Sequence, residues 1–371
     1  MMKKILITGA RGFIGRNLTA AFRENRDVTL FLYDIEDELS VLKQYILESD
    51  IIYHLAGINR TREEKDYEDN LGSLQAVIDI CESEKHIIPI VLSSSIQADR
   101  DNPYGLSKKR AEEALIKYGM DNDVKVYVYR LKNVFGKWCR PNYNSAVATF
   151  CHNIANDKPV TVSDRNNIVS LVYIDDVMNK FKKIPFNEYH DKSKFYHEID
   201  TYYSKTLGEI VDLLYKFHDS RETLLLPNME DTFQKKLYST YLSYMPENGF
   251  AYDLKMNVDE RGSFTEFVKS DERGQVSINI TKPGITKGNH WHHTKTEKFM
   301  VVSGNAAIRF RHINSDKVIE YLVSNEKLQV VDIPPGYTHH IMNIGTTDLV
   351  TIMWASENFE PQNPDTFFLK V

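Results

Sequence analysis

Apolar and polar positions change their spacing about two thirds of the way along this chain. In the first part, apolar runs rich in β-branched residues alternate with segments that have helical periodicity. The runs fall at residues 4–8, 28–33, 50–57 and 87–92. Strands without polar alternation are buried on both faces, so the pattern predicts an α/β fold of Rossmann type with a doubly wound parallel sheet.

Short alternating strands replace this pattern in the last third of the chain. Residues 276–280 and 349–354 are typical of an all-β sandwich or barrel. Turn residues, Met-Pro-Glu-Asn-Gly, occupy positions 245–249, where the pattern changes. We therefore expect two domains, 1–245 and 246–371.

Composition narrows the functional classes without naming one. The 371 residues carry a formal net charge of −6 and are 42% hydrophobic, as in an ordinary soluble protein. This charge argues against a broad basic surface for nucleic acid or anionic membranes. No apolar run is long enough to span a bilayer. The three cysteines are scattered, which gives no disulfide framework and favours a cytoplasmic location.

A glycine turn follows the first predicted strand. Gly9, Gly12 and Gly15 lie between the strand at 4–8 and a segment with helical periodicity. Glycines let the backbone approach a pyrophosphate, and a helix N-terminus supplies free amides and a positive dipole end. The sequence therefore predicts a dinucleotide-binding turn.

Charged residues near this turn leave the choice of cofactor open. Asp34 ends the second strand, where a carboxylate bonds the adenosine ribose of NAD(H) and repels a 2′-phosphate. Arg11, within the turn, and Arg60 could instead bind that phosphate. From the residues alone, NAD(H) is favoured.

A serine run and a Tyr-x-x-x-Lys pair follow the fourth strand. Tyr104 and Lys108 are one helical turn apart and share a face. An ammonium group near the phenol should lower its pKa, so that Tyr104 could transfer a proton near neutral pH. Ser95 could hydrogen-bond the same substrate oxygen. These residues predict a proton-transfer site.

Histidines alternate along a predicted strand near the C-terminal end. His290 and His292 point to the same face, Glu297 follows across a bend, and His339 comes about forty residues later. Three imidazoles and a carboxylate suit Zn²⁺, Fe²⁺, Mn²⁺ or Ni²⁺. His293 is an alternative to His292 as a ligand. The sequence predicts a metal site here.

Motifs over the first 180 residues resemble the extended short-chain dehydrogenase/reductase family of nucleotide-sugar enzymes. Besides the glycine turn, the serines and Tyr104/Lys108, they are His54-Leu-Ala-Gly57, Arg130-x-x-Asn133-x-x-Gly136 and Tyr173-x-Asp175-Asp176. The resemblance implies that Ser95, Tyr104 and Lys108 are catalytic and that Asn133 contacts the substrate. It implies cofactor contacts from Gly9, Arg11, Gly12, Phe13, Ile14, Gly15, Asp34, Leu55, Ala56, Gly57 and Lys108.

The histidine stretch resembles the two signature motifs of the cupin barrel. They read Gly284-x₅-His290-x-His292-x₄-Glu297-x₆-Gly304 and Pro334-x-Gly336-x₂-His339-x₃-Asn343. Upstream, Asp259–Glu266 resembles a segment near the nucleotide-sugar site of deoxysugar 3,5-epimerases, which implies a substrate contact for Arg261. Those epimerases usually lack a metal, whereas this chain keeps the ligands.

The two domains in one chain resemble the bifunctional UDP-sugar enzymes of bacterial capsular polysaccharide synthesis. The resemblance implies C3 epimerisation of a UDP-2-acetamido-2,6-dideoxy-4-hexulose by the cupin domain and reduction of the C4 ketone by the other domain. The implied product is UDP-N-acetyl-6-deoxy-L-talosamine. The implied cofactors are NADPH and one divalent metal, Zn²⁺, and the implied assembly is a homodimer.

Two alternative hypotheses follow from the same residues. In one, the enzyme is an epimerase or dehydratase that retains and recycles NAD, and the cupin only binds product. In the other, which is non-enzymatic, the cupin senses or binds a sugar and mediates assembly.

Overall fold

The computed structural model describes residues 2–59, 61, 63, 67, 69–187 and 192–371, so Arg60 lies outside the described residues. The chain forms two compact units. One contains the chain up to Tyr215 with Lys236–Pro246, and the other contains Lys216–Lys235 with Glu247–Val371. Residues 216–235 are thus grouped with the second unit, although they precede the predicted boundary at residue 245.

The first unit is built on strands and helices that alternate along the chain. Its strands are β1 (Lys3–Thr8), β2 (Val28–Tyr33), β3 (Ile51–His54), β4 (Ile90–Ser95), β5 (Val126–Leu131), β6 (Asn133–Phe135), β7 (Ile168–Tyr173), β8 (Tyr196–His197) and β9 (Tyr203–Thr206). Its helices are α1 (Phe13–Phe22), α2 (Leu39–Glu48), α3 (Asp69–Ser83), α4 (Pro103–Asp121), α5 (Ala146–Ala155) and α6 (Ile174–Phe181). The residues of α7 (Leu207–Thr223) and α8 (Thr232–Leu242) are divided between the two units.

A six-stranded parallel sheet in the order β2-β1-β3-β4-β5-β8 forms the centre of this unit. Ile5 and Ile7 of β1 belong to the apolar core on one face, and Leu6 belongs to the core on the other. Burial on both faces explains why the strands read as continuous apolar runs. The predicted doubly wound Rossmann-type sheet is confirmed.

The second unit contains antiparallel strands. They are β10 (Met256–Asp259), β11 (Gly262–Ser270), β12 (Gly274–Thr281), β13 (Thr286–Trp291), β14 (Glu297–Ser303), β15 (Asn305–His312), β16 (Val318–Ser324), β17 (Val330–Ile333), β18 (Tyr337–Asn343), β19 (Leu349–Ala355) and β20 (Phe367–Phe368). They form two sheets, in the orders β10-β11-β12-β19-β14-β17 and β16-β15-β18-β13-β20. Residues of both sheets share one apolar core, among them Phe299 of β14 and Phe310 of β15. The predicted all-β cupin barrel is confirmed.

Strand β12 places its polar side chains inside the barrel. Ser277 and Asn279 are buried, while Val276 and Ile278 are only half-buried. The Asn279 amide oxygen accepts a 2.9 Å hydrogen bond from Nζ of Lys287, on β13 of the facing sheet. This part of the barrel interior is therefore polar, away from the apolar core.

None of the helices found in the described part of the chain is both long and apolar enough to span a bilayer.

Candidate functional sites

A cleft of about 910 Å³ in the first unit brings together most of the residues predicted for catalysis and cofactor binding. It lies at the ends of β1, β4 and β5, where parallel sheets commonly bind ligands. Of the predicted residues, its walls include Arg11, Gly12, Phe13, Ile14, Gly15, Leu55, Gly57, Ser95, Tyr104, Lys108 and Asn133. Gly9 and Ala56 lie behind this wall, and Asp34 lies beside Arg11.

The glycine turn between β1 and α1 is too tight for other residues. Gly9 has φ +70°, and a Cβ there would lie 2.5 Å from the Ala56 nitrogen. A Cβ on Gly15 would lie 2.2 Å from the Gly9 carbonyl oxygen. Gly12 is the N-cap of α1, and no described side chain caps it. The first amides of α1 are therefore available to an anion in the cleft, which fits a dinucleotide diphosphate.

Arg11 bonds to Asp34 and to two further acidic residues just after the end of β2. The Asp34 carboxylate accepts a 2.6 Å hydrogen bond from the Arg11 backbone amide. The Arg11 guanidinium pairs with Glu36 and, at 3.2 Å, with Asp37. Three carboxylates therefore surround the position predicted for the adenosine ribose. Arg11 could contact a 2′-phosphate only if its ion pairs opened.

Tyr104 and Lys108 lie in the first two turns of α4. Asn102 caps this helix through a 2.8 Å hydrogen bond from the Gly105 amide, and Pro103 follows in the first turn. The Tyr104 hydroxyl donates to Oδ1 of Asn59 over 3.1 Å. The Lys108 ammonium lies 5.8 Å from the centroid of the Tyr104 ring.

Burial raises the pKa of Tyr104, and a hydrogen bond with Ser95 acts in the opposite direction. Burial also lowers the pKa of Lys108 to about 8, although the nearby Glu112 acts to raise it. The sequence predicted a lowered phenol pKa, whereas burial of the phenol raises it in this structure.

Glu112, one turn beyond Lys108 on α4, is fully buried. Its carboxylate accepts hydrogen bonds from the Ser94 hydroxyl, at 2.5 Å, and from Nη2 of Arg130, at 2.6 Å. Nε of Arg130 also donates to it, at 3.0 Å. This network joins α4 to the strand ends that carry the serines. Arg130, the first residue of the Arg130-x-x-Asn133-x-x-Gly136 motif, therefore serves to pair the buried Glu112 carboxylate.

A second cluster of candidate residues lies inside the barrel of the second unit. His290 and His339 come from paired strands β13 and β18, Glu297 begins β14 in the facing sheet, and His292 follows β13. One ligand atom from each lies within 4.8 Å of all the others. The four predicted metal ligands are therefore brought together.

The ligand atoms of this cluster converge on a common point. Nε2 of His292 and Nε2 of His339 lie 3.4 and 3.2 Å from Oε2 of Glu297. All three atoms are buried, and none has a hydrogen-bonding partner of suitable geometry among the described residues. Buried polar atoms rarely remain unsatisfied, so this arrangement fits a divalent cation.

The protonation states also fit a cation. Burial lowers the pKa of His290 to about 4. For Glu297, burial acts to raise the pKa, but His292 and His339 hold it well below its usual range. A neutral His290 imidazole and an ionised Glu297 carboxylate are the forms that bind metal.

A β-bulge directs His290 into the cluster. Gly288 pairs with His340, but the next paired residue is His290, opposite His339, so Asn289 is an extra residue in β13. Asn289 has φ +61°. A Cβ on Gly288 would lie 2.8 Å from the His339 carbonyl oxygen, so only glycine fits there. Without the bulge, Asn289 would occupy the place of His290.

Asp365 supports the cluster, although no motif in the sequence points to it. Its backbone oxygen lies 2.6 Å from Nδ1 of His292, which leaves Nε2 of that histidine facing the other ligands. Its carboxylate accepts hydrogen bonds from the amides of His293, Thr294 and Lys295, each at 2.9 Å. His293 is exposed and packs on Trp291, so the cluster contains His292 instead.

The two predicted substrate residues differ in their surroundings. Asn133 lies in the cleft wall and donates to the Ser170 carbonyl over 3.0 Å. Arg261 lies in the turn between β10 and β11, where it pairs with Asp259 at 2.6 Å.

Comparisons with known proteins agree with this architecture. Residues 5–184 match the NAD dependent epimerase/dehydratase family, and residues 257–367 match the polysaccharide biosynthesis C-terminal domain. A UDP-glucuronic acid 4-epimerase from Bacillus cereus shares the fold, with a TM-score of 0.52 at 21% identity over 58% of this chain and 82% of that chain.

Two relatives match nearly the whole chain. The UDP-2-acetamido-2,6-beta-L-arabino-hexul-4-ose reductase of Pseudomonas aeruginosa is 43% identical, with 99% of each chain covered. The crystal structure of CapF, the capsular polysaccharide assembling protein from Staphylococcus aureus, is 50% identical, with a TM-score of 0.91 over 99% of this chain and 100% of that one. By this similarity, the chain belongs to the family of bifunctional nucleotide-sugar enzymes of capsular polysaccharide synthesis that includes the Pseudomonas aeruginosa reductase and CapF.

Proposed function

We propose that the chain converts a UDP-2-acetamido-2,6-dideoxy-4-hexulose into UDP-N-acetyl-6-deoxy-L-talosamine in two steps. The cupin domain, 246–371, inverts C3, and the reductase domain, 1–245, reduces the C4 ketone. The observation that carries the proposal is the cleft in which a glycine turn meets Ser95, Tyr104 and Lys108. The whole-chain similarity to a hexul-4-ose reductase supports the substrate class.

In the reductase step, NADPH supplies the hydride to C4 when it is bound at the glycine turn. Tyr104 gives its hydroxyl proton to the ketone oxygen, which becomes the C4 hydroxyl. Ser95 orients that oxygen, and the Lys108 ammonium stabilises the phenolate as it forms. The acidic surroundings of Arg11 make NADH the competing cofactor.

In the epimerase step, the C4 ketone makes the C3 hydrogen acidic. Removal of this proton gives an enolate, and protonation on the other face inverts the centre. His290, His292, Glu297 and His339 would hold a Zn²⁺ ion, which can stabilise an enolate oxygen or maintain the barrel. The buried polar side chains of Ser277 and Asn279 make the barrel interior suitable for a sugar.

We further propose that the enzyme is a cytoplasmic homodimer. The half-buried apolar side chains on the outer face of β12, such as Val276 and Ile278, support a partner surface. Sedimentation equilibrium would test the assembly.

The decisive experiment supplies the enzymatically made 4-keto sugar in D₂O, either without cofactor or with NADPH or NADH. Without cofactor, we expect deuterium to appear at C3. With cofactor, we expect its stoichiometric oxidation as the ketone is reduced. Tightly bound NAD with no net cofactor oxidation would instead support the recycling epimerase or dehydratase.

Matched variants separate the two steps. Tyr104→Phe should lower the reduction rate by about 10²–10⁴-fold and leave C3 exchange unchanged. His292→Ala should lose bound zinc, measured by mass spectrometry, whereas His293→Ala should retain it. Unchanged C3 exchange in His290→Ala would rule out a catalytic role for the cluster.

A further inference from the structure

Trp138 occupies an unusual position in the wall of the cleft. It is 41% exposed and has φ +70°, a left-handed conformation that bulky residues rarely adopt. Asn142, four residues later, is also left-handed, with φ +55°, but asparagine tolerates this region. A glycine would avoid the strain at position 138, so the indole requires an explanation.

Contacts on both sides hold Trp138 in this conformation. The Lys137 carbonyl accepts a 3.2 Å hydrogen bond from Nδ2 of Asn17, a buried residue of α1. The Lys137 ammonium pairs with Asp175 at 2.7 Å. On the other side, the Tyr244 hydroxyl donates to the Cys139 carbonyl over 2.5 Å. Backbone strain that neighbouring contacts impose in this way tends to occur at functional sites.

The indole is placed beside the N-terminal turn of α1. The Arg16 guanidinium carbon lies 5.5 Å from the centroid of the Trp138 ring, and Nζ of Lys137 lies at the same distance. Arg16 follows Gly15 and also lines the cleft. An indole and two cations therefore adjoin the uncapped amides of the glycine turn.

We propose that Trp138 and Arg16 form the outer wall of the dinucleotide site and contact the diphosphate of the bound cofactor. The guanidinium supplies charge, and the indole orients it and shields the diphosphate from water. This inference rests on the proposed cofactor site. It adds two binding residues that the glycine motif does not predict.

Collisional quenching tests the contact directly. The chain has three tryptophans, so Trp291→Phe with Trp354→Phe leaves Trp138 as the only one. In this full-length variant, NADP⁺ and ADP should each lower acrylamide quenching of Trp138 by at least about twofold, because the exposed ring becomes covered. Oxidised cofactor avoids energy transfer to a reduced nicotinamide.

Affinity provides a second measurement. Trp138→Gly relieves the strained backbone and removes the ring, so the dissociation constant of NADP⁺ by calorimetry should rise about tenfold. Trp354→Phe should bind as wild type does. If Trp138→Gly does not fold, Arg16→Met replaces it, with the same expected direction.

The outcomes distinguish the inference from the proposed function. Wild-type protein that binds neither NADP⁺ nor NAD⁺ would refute the proposed reductase. Normal binding by wild type, with no protection of Trp138 and unchanged affinity in the glycine or methionine variant, would overturn only the role of Trp138 and Arg16.

Discussion

The backbone oxygen of Asp365 lies 2.6 Å from Nδ1 of His292, while the Asp365 carboxylate accepts hydrogen bonds from three backbone amides just after this histidine. One residue thus sets both the orientation of the imidazole and the path of the chain beside it. Because His292 contributes to the proposed metal site, Asp365 should affect metal binding without being a ligand.

Replacing Asp365 with alanine leaves those three amides without their acceptor. We expect Asp365→Ala to lower zinc affinity by about 10–100-fold, as for other residues that support metal ligands. Competition with a chelator would measure this. Asp316→Ala, at an exposed carboxylate in a surface loop, is the control. Equal affinities in the two variants would contradict the role of Asp365.

Reduction should decline at alkaline pH because burial lowers the pKa of Lys108 to about 8. If the ammonium supports Tyr104, kcat/KM should fall as pH rises through about 8. Lys108→Arg keeps its charge and should remove this decline. If kcat/KM of the wild type stayed constant well above pH 8, the positive charge of Lys108 would not be needed.

The lowered pKa of Lys108 should make folding stability rise with pH, in contrast to the reduction rate. From pH 8 to 10.5 the unfolded chain holds more protons at this lysine than the folded one. The contribution of Lys108 to stability therefore rises with pH over that interval. Thermal unfolding of wild type and Lys108→Met across the interval would measure it.

Cofactor preference should respond to the carboxylates around Arg11. Glu36→Gln removes one negative charge and one ion-pair partner of the guanidinium. We expect NADPH affinity to rise about two- to fivefold while NADH affinity changes little, since only NADPH carries a 2′-phosphate. Arg11→Ala should instead lower NADPH affinity and again leave NADH affinity nearly unchanged. Parallel titrations with both cofactors would test this, and equal changes for both would argue against a 2′-phosphate contact.

Two arginines offer a matched test of buried and exposed ion pairs. Arg130→Met leaves the fully buried Glu112 carboxylate without its main partner and should cost about 3 kcal/mol. Arg165→Met breaks an exposed pair with Asp212 and should cost less than about 1 kcal/mol. Calorimetric unfolding would compare them. A similar loss in both variants would mean that Glu112 finds another partner.

Local patterns predicted the parts of this structure that depend on nearby residues. The glycine turn and the spacing of Tyr104 and Lys108 each involve a few consecutive positions, so their geometry follows from sequence. The convergence of the histidine cluster was also predictable, because strand alternation fixes which residues share a face and the motif spacing supplied Glu297 and His339.

Features that depend on distant partners were not predictable. Alternation identified β12 as a strand, but it could not tell that Ser277 and Asn279, rather than Val276 and Ile278, would be the buried set. Asp365 is 73 positions from His292 in the chain. The pKa of Tyr104 was misjudged because burial, a property of the whole fold, raises it.

The extra residue in β13 decides which side chain of the strand faces the histidine cluster. His290 faces its partners only because Asn289 interrupts the pairing with β18. Closing the bulge at unchanged chain length would put Asn289 opposite His339 and turn His290 outward, whereas deletion of Asn289 would close it with His290 still in place. A related chain could therefore keep all four residues of the cluster and still separate them through a substitution at Gly288, where a Cβ would meet the His339 carbonyl oxygen, and a comparison that scores only the histidines would overlook this.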